Sequence, residues 1–392
     1  ARATTGAGLA TVVLEADDGV GGRVRTDAVD GFLLDRGFQI LLTGYPDVQG
    51  ALDLDGLDLC RFDPASLVWT GSRMERVADP LRRPSALLDT MRADVGSLAD
   101  KARIGLLRQR LVGTPAVRLL QAADRSTAEA LAEAGFSEKM VRRFFRPLLG
   151  GIQLDPDLAS SSRMYEIIFR TLALGDAAVP GRGMQAIPDQ LHAALPPGTV
   201  RLSSPVERID GTAAVLGDGS RVQGRALVVA TEGPAAARLI GIPDPGSKSA
   251  SALWFACDEA PVRGRAIVLE GTGGGPVLNL AVMSEVAPSY APPGRSLVVA
   301  ACPGETGPTL ETCARTQLAG WFGSAVDGWE LLRVDRIAHG QPLSAAPFSP
   351  KKGVSLGEGR FVAGDHRDTP SIQGAMFSGR RCGDAVVASL TR

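Results

Sequence analysis

The chain has 392 residues, more than one ordinary core accommodates, so two domains are expected. It carries 42 basic against 43 acidic residues, a net charge of −1, which excludes the basic excess of a nucleic-acid-binding surface. With 44% hydrophobic and 22% charged residues, the composition is that of a globular protein with a sizeable core.

Gly6-Ala7-Gly8-Leu9-Ala10-Thr11 resembles a phosphate-binding loop, but its setting is wrong. Such a loop follows a strand, opens a helix and lies roughly 20 residues before the ribose carboxylate. Here Glu15 follows Gly8 by seven residues. The better reading makes Ala1 to Thr5 the tail of a helix, Gly6 to Gly8 its stop, and Thr11 to Leu14 a strand. On that reading the first strand and the phosphate loop are expected to be missing, either by truncation or with a loss of cofactor affinity.

The strand runs into Glu15-Ala16-Asp17-Asp18-Gly19-Val20-Gly21-Gly22-Arg23. A strand-end carboxylate can accept both hydroxyls of a ribose. Paired glycines let the backbone approach a bulky anion, and an arginine grips phosphate with a planar fork. This stretch reads as half of a dinucleotide site. Gly31 to Leu41 then suggests a strand, a tight turn and an apolar continuation, and residues 45–76 mix short strands with turns.

From 80 to 145 the apolar residues recur at helical spacing, and Ser126-Thr127-Ala128-Glu129 is a capping box. This is a helical insertion. Arg146 to Ile152, with Pro147, Gly150 and Gly151, is expected to break it. Residues 160–174 and 185–194 are helical again, on either side of a turn at 179–184. A β-meander is expected from Val200 to the apolar strand Ala226–Thr231, with turns such as Gly217-Asp218-Gly219. Strands at 252–257, 266–269, 278–283 and 297–301 suggest a second sheet, followed by a helix at 309–322. A last strand ends on Gly364-Asp365, and a helix over 371–390 closes the chain with small residues at Gly374, Ala375, Ser378 and Gly379. A helix N-terminus with exposed N–H groups is an anion site.

Cys60, Cys257, Cys302, Cys313 and Cys382 are scattered, odd in number and form no CxxC pair, and the three histidines are equally dispersed. Neither a disulfide framework nor a metal site is expected. No apolar run approaches the about 18–20 residues of a membrane span, and the N-terminus lacks a signal-peptide pattern. A cytoplasmic location is expected, with peripheral membrane contact through a local apolar patch left open.

The motifs at the two ends carry a resemblance. Val13-Leu14-Glu15-Ala16 with Gly21-Gly22-Arg23, the Asp35-Arg36-Gly37 turn, Ser204-Pro205-Val206 with Val228-Val229-Ala230-Thr231, and Phe361 to Asp365 with Ile372-Gln373-Gly374-Ala375 stand in family order. The chain resembles the flavin-dependent amine oxidases, protoporphyrinogen oxidases and phytoene-desaturase-like oxidoreductases, without their N-terminal GxGxxG segment. The resemblance implies FAD as cofactor. Glu15 would bind the adenosine ribose, Gly21, Gly22 and Arg23 would lie along the pyrophosphate, and Val206 would meet the adenine through its backbone. Gly364 and Asp365 would hold the ribityl–phosphate region, and Arg36 and Gly37 would lie near the isoalloxazine. Backbone N–H groups of Gly374, Ala375 and Met376 would face the flavin's pyrimidine edge.

The resemblance further implies an α/β fold: a Rossmann-like FAD-binding domain from discontinuous segments, with an inserted α+β substrate domain. The expected boundaries are 1–60, 195–245 and 336–392 for the FAD domain, and 61–194 and 246–335 for the substrate domain. The expected activity removes a hydride equivalent from a C–H bond of an amine or a lipophilic, polyene-like small molecule. No catalytic residue is assigned, because Lys101, Lys139, Lys248, Lys351 and Lys352 all sit in polar contexts and no aromatic cage is legible. A non-catalytic protein with a degenerate flavin site and an NAD(P)-linked dehydrogenase are the alternatives.

Overall fold

The structure is a computed structural model describing residues 1–391. Its largest sheet has seven strands in the order Glu330–Pro342, Ser247–Cys257, Ser296–Pro303, Asn279–Val282, Ile267–Glu270, Ala65–Trp69 and Met74–Ala78. Only Ile267–Glu270 and Ala65–Trp69 pair in parallel. Strand alternation distributes the side chains. Leu253, Phe255 and Cys257 enter a core under helix Leu310–Phe322, while Ala252, Trp254 and Ala256 face the larger core. Burial on both faces explains why the expected strands of this region read as nearly continuous apolar runs. Two strands from 65–78 and the long strand Glu330–Pro342 join them, so the expected boundary at 335/336 falls inside a strand.

Two short parallel pairings unite distant segments. Val13–Leu14 pairs with Val200–Arg201, and Leu227–Val229 pairs with Arg360–Val362. This is the expected α/β architecture assembled from separated pieces. The meander itself stops earlier than expected: Val206–Asp210, Ala213–Leu216 and Arg221–Gln223 form it, and Leu227–Val229 leaves. Parallel pairing lets Val229 and Val362 share a small core with Ala236, a burial that a meander edge would not give.

The N-terminal helix Arg2–Gly6 packs on the closing helix Ile372–Leu390. Gly383 permits the contact, since a Cβ there would lie 2.6 Å from that of Ala3. In the helical insertion, the expected Ser126–Glu129 capping box is present, and a second joins Ser97 to Asp100.

The expected break at 146–152 is corrected: Arg146–Gln153 is a helix continuing from a π-helical turn at Val141–Phe145. Pro147 lies in its first turn, where a missing N–H costs nothing. Gly151 is there for space, because a Cβ would collide with the amide of Asn279.

A buried carboxylate ties three elements together. Asp35 ends strand Phe32–Asp35 and has no exposed surface. It accepts hydrogen bonds from Thr26 Oγ1 at 2.5 Å, the Met184 N–H at 2.9 Å and the Tyr290 hydroxyl at 2.9 Å. Burial pushes its pKa up to about 6, and the hydrogen bonds only partly oppose this. A carboxyl raised on folding contributes stability below its unfolded pKa and loses that contribution as pH rises through about 6. Asn at this position still accepts from Thr26 and Met184, and its NH2 can donate to Tyr290. Urea denaturation of Asp35→Asn should show its stability gaining on the wild type by up to roughly 3 kcal/mol between pH 4 and pH 7. A pH-independent difference would contradict the assignment.

Candidate functional site

Strand Val13–Leu14 leads into the first of the expected site residues. Its pairing extends to Glu15, whose N–H donates to Arg201 O at 2.9 Å. The next segment runs alongside, with the Ser204 N–H donating to Glu15 O at 2.7 Å and the Ser203 N–H to Asp17 O at 2.9 Å. Val206 follows two residues after Ser204. The Glu15 carboxylate accepts the Asp17 N–H at 3.0 Å and retains further acceptor capacity.

The glycine turn has the predicted shape. Gly21 (φ +119°) and Gly22 (φ +57°) both occupy the region that favours glycine. No heavy atom lies within 4 Å of where a Gly22 Cβ would sit, so the backbone stays open to a close-lying group. The Val24 N–H closes the turn on Gly21 O at 3.0 Å.

Arg23 then joins three parts of the chain. Its Nη1 donates to Gly340 O at 2.6 Å, on strand Glu330–Pro342, and its Nη2 to Asp365 Oδ2 at 2.8 Å. Gln39 supports the same place, donating through Nε2 to Arg23 O at 2.6 Å and Arg36 O at 2.8 Å. A cavity of about 10 Å³ lies at this junction, lined by Arg23, Gly233, Ser247, His339, Gln341 and Asp365. Asp365 is 5% exposed, and its Oδ1 has no partner. Gly364 (φ +149°) precedes it, where a Cβ would meet the His366 ring at 2.6 Å. His366 is buried with neither ring nitrogen bonded, and burial pushes its pKa down to about 4. It is therefore a neutral imidazole at pH 7.

Other expectations are revised. Ser371 caps the closing helix, its Oγ accepting the Gly374 N–H at 3.1 Å. The Ala375 N–H donates to Ser371 O at 3.0 Å. Gly374, Ala375 and Met376 therefore stand inside the hydrogen-bonded helix. Among the described residues, the first-turn donors without an acceptor are the N–H groups of Ile372 and Gln373. A helix leaves its first N–H groups free and bonds the later ones within its own turns, so the anion-facing donors lie at its very start. Arg36 is held by Asp27, with Nε and Nη2 each at 3.2 Å from a carboxylate oxygen, and touches Asp17. Its guanidinium braces the turn. Gly37 donates its N–H to Asp335 Oδ2 at 3.1 Å and must lack a Cβ, which would approach Ile337 Cδ1 to 2.5 Å.

Sequence reasoning missed Lys248. The two-residue period of strand Ser247–Cys257 puts it on the same face as Ala252 and Trp254, which is the only signal available. Its Nζ donates to Gln153 O at 2.9 Å, Ser160 Oγ at 2.6 Å and Ser344 Oγ at 3.3 Å. Burial pushes its pKa down to about 8. All three donors are engaged, so Lys248 is a strut between the sheet and the end of helix Arg146–Gln153.

The groups present fit a flavin dinucleotide: an open glycine turn, an arginine oriented by Gly340 and Asp365, an unpaired buried carboxylate oxygen as acceptor and two free helix N–H groups as donors. Fold and site thus define a dinucleotide-binding α/β protein with a seven-stranded sheet and a helical region. The sequence profile of the flavin containing amine oxidoreductases matches residues 1–387, and the chain belongs to that family of FAD-dependent oxidoreductases. A coproporphyrinogen III oxidase of Mycobacterium leprae (strain TN) is 29% identical over 157 residues, 38% of this chain and 33% of that protein. The match therefore spans about a third of that relative's length. A structure assigned as a protoporphyrinogen oxidase from Exiguobacterium sp. 255-15 superposes with a TM-score of 0.71 at 16% identity, covering 99% of this chain and 95% of that one. Wild-type putrescine oxidase bound to putrescine gives 0.67 at 17% identity, covering 99% and 96%. These two likenesses show a shared fold.

Replacing Arg23 by Ala removes two charge-assisted bonds, each worth roughly 1.5–3 kcal/mol when fully formed. Because those bonds hold the glycine turn against Gly340 and Asp365, affinity for FAD should fall by about 10- to 100-fold, read as flavin retained on gel filtration, with Arg23→Lys intermediate because an ammonium lacks the fixed planar fork. Glu15→Ala should weaken retention as well. Unchanged flavin content in both Ala variants would remove these residues from the cofactor site.

Proposed function

We propose that this protein is an FAD-dependent oxidoreductase that removes a hydride equivalent from a C–H bond of a small molecule of the amine or porphyrinogen kind. The observation that carries the reading is the junction at Arg23, where the glycine turn, the substrate sheet and the Gly364-Asp365 segment meet within one set of hydrogen bonds. Glu15 and Val206 would hold the adenosine end, Gly21, Gly22 and Arg23 the pyrophosphate, and Gly364 and Asp365 the ribityl region. The Ile372 and Gln373 N–H groups would face the flavin's pyrimidine edge, and Ser371 holds that helix end in place through its cap. When bound, FAD supplies an electron-deficient ring system able to accept a hydride equivalent.

The chain's own contribution is binding, orientation and exclusion of water. Lys248 fits no proton-transfer role, since its three donors are committed to Gln153, Ser160 and Ser344. In this reading residues 1–60, 195–245 and the segment after strand Glu330–Pro342 serve the cofactor, and the sheet with the helical insertion serves the substrate.

Among the described residues, no helix is long and apolar enough to cross a membrane. Peripheral contact with a membrane is part of this proposal, supported by exposed Leu81, Leu88, Leu98 and Leu106 on the helical insertion. A cytoplasmic location is supported by the five free cysteines.

Purified protein should carry visible flavin absorbance that denaturation releases as FAD. Anaerobic mixing with putrescine or coproporphyrinogen III should bleach it within turnover times. Protein that stays colourless after incubation with FAD would instead favour a non-catalytic binding role.

A further inference from the structure

Five cations crowd against the closing helix. Lys351 Nζ and the guanidinium carbons of Arg380 and Arg381 lie 5.4, 5.1 and 5.4 Å from the centroid of the Phe377 ring. The three charges therefore stand within twice that distance of one another. Lys352 and Arg367 belong to the same neighbourhood. The Lys352 N–H donates to Arg367 O at 2.9 Å, Arg367 donates to Gly353 O through Nε and Nη2, and Arg381 Nη2 donates to Lys352 O at 2.8 Å. Segment 351–353, the turn at Asp365–Arg367 and the helix thus hold five side chains as one patch. Lys351, Lys352 and Arg380 are exposed, while Arg367 and Arg381 are half-buried.

The carboxylates nearby do not balance this charge. Arg380 pairs with Asp47 at 2.8 Å and Arg381 with Asp368 at 3.5 Å. Arg367 bonds a carbonyl instead, and among the described residues Lys351 and Lys352 have no carboxylate within 4.0 Å. Burial lowers the pKa of Lys352 and of Arg367. Like charge lowers both further, Arg367 acting on Lys352 and Arg381 on Arg367. In a chain whose net charge is −1, this is a local positive excess that repels itself. An anion lying across it would remove the repulsion.

We infer that the patch binds a multiply charged phosphate anion free in solution, of the pyrophosphate or polyphosphate class. Guanidinium forks meet phosphate oxygens in pairs, and ammonium groups act on them as compact point charges. The patch gathers its charges around one aromatic ring, an extent that suits a small anion. None of the exposed large apolar side chains lies within 351–353, 365–368 or 377–381, so the patch offers nothing to enter a bilayer. The site is separate from the cofactor junction, since none of the five cations lines the cavity at Arg23.

The test uses the full chain incubated with FAD, so that the dinucleotide's own phosphates fill their place. Titration calorimetry with sodium pyrophosphate should show one saturable event with a Kd below about 1 mM, weakening as NaCl is raised. The double variant Lys351→Gln/Lys352→Gln should bind about 10-fold or more weakly, and so should Arg367→Gln, because each removes charged donors. The double variant should melt no lower than the wild type, because both lysines are exposed and like charges have been removed. A wild type without saturable binding, or a double variant that binds as tightly as the wild type, would overturn the inference. So would a wild type that sediments with phosphatidylglycerol vesicles but takes up no free pyrophosphate, which would assign the patch to a lipid surface. Flavin absorbance of the same samples reads the cofactor assignment separately: a colourless wild type would count against that assignment and leave the comparison between wild type and double variant intact.

Discussion

One guanidinium bridges residues that lie 317 and 342 positions from it in sequence, Gly340 and Asp365. Arg23 belongs to a glycine turn, Gly340 to the edge strand of the seven-stranded sheet, and Asp365 to the segment before the closing helix. A planar fork presents its donors in fixed directions, so one guanidinium can hold both acceptors in a set geometry. The arrangement fastens the glycine turn, the edge strand of the sheet and the segment before the closing helix to one another.

The same need for close approach explains the glycines around that point. Gly37 makes room for Ile337 of the edge strand, Gly151 for Asn279 of the sheet, and Gly383 for Ala3 of the first helix. Each is a place where two segments distant in sequence touch backbone to side chain. The buried Asp35 acts in the same way through polar contacts, tying its hairpin to Met184 and Tyr290. It does so at an electrostatic cost, because its surroundings favour the neutral acid. Lys248 repeats the pattern elsewhere in the molecule, with all three donors bonded and its charged form disfavoured by burial.

Polar groups in this molecule therefore divide into two kinds. Asp35 and Lys248 are bonded at every position the structure requires, and they join elements. Asp365 Oδ1, Gln153 and the Asn279 carbonyl are buried yet unbonded. Both ring nitrogens of His366, next to Asp365, belong to the second kind as well.

Much of the fold was legible in the residues because it depends on local rules. The period of apolar residues marked the helical insertion and the buried strands. Ser126 and Glu129 announced a helix start, and the Gly21-Gly22-Arg23 turn could be recognised because only glycine adopts its backbone conformation freely. The order of motifs was enough to suggest the family. What the sequence could not decide were pairings between distant segments. Leu227–Val229 joins Arg360–Val362 instead of the adjacent meander, because that choice buries Val229 and Val362 together. Pro147 and Gly150-Gly151 signal a break by local propensity, yet the helix continues, because packing against Asn279 outweighs it. The free N–H groups at Ile372 and Gln373 depend on where the helix begins, which the Ser371 cap sets and the run of small residues concealed. Composition and periodicity thus determined the elements and the class of site. Which groups face one another, and which are left unpaired, only tertiary packing decided, because burial and hydrogen-bond satisfaction are properties of the assembled chain.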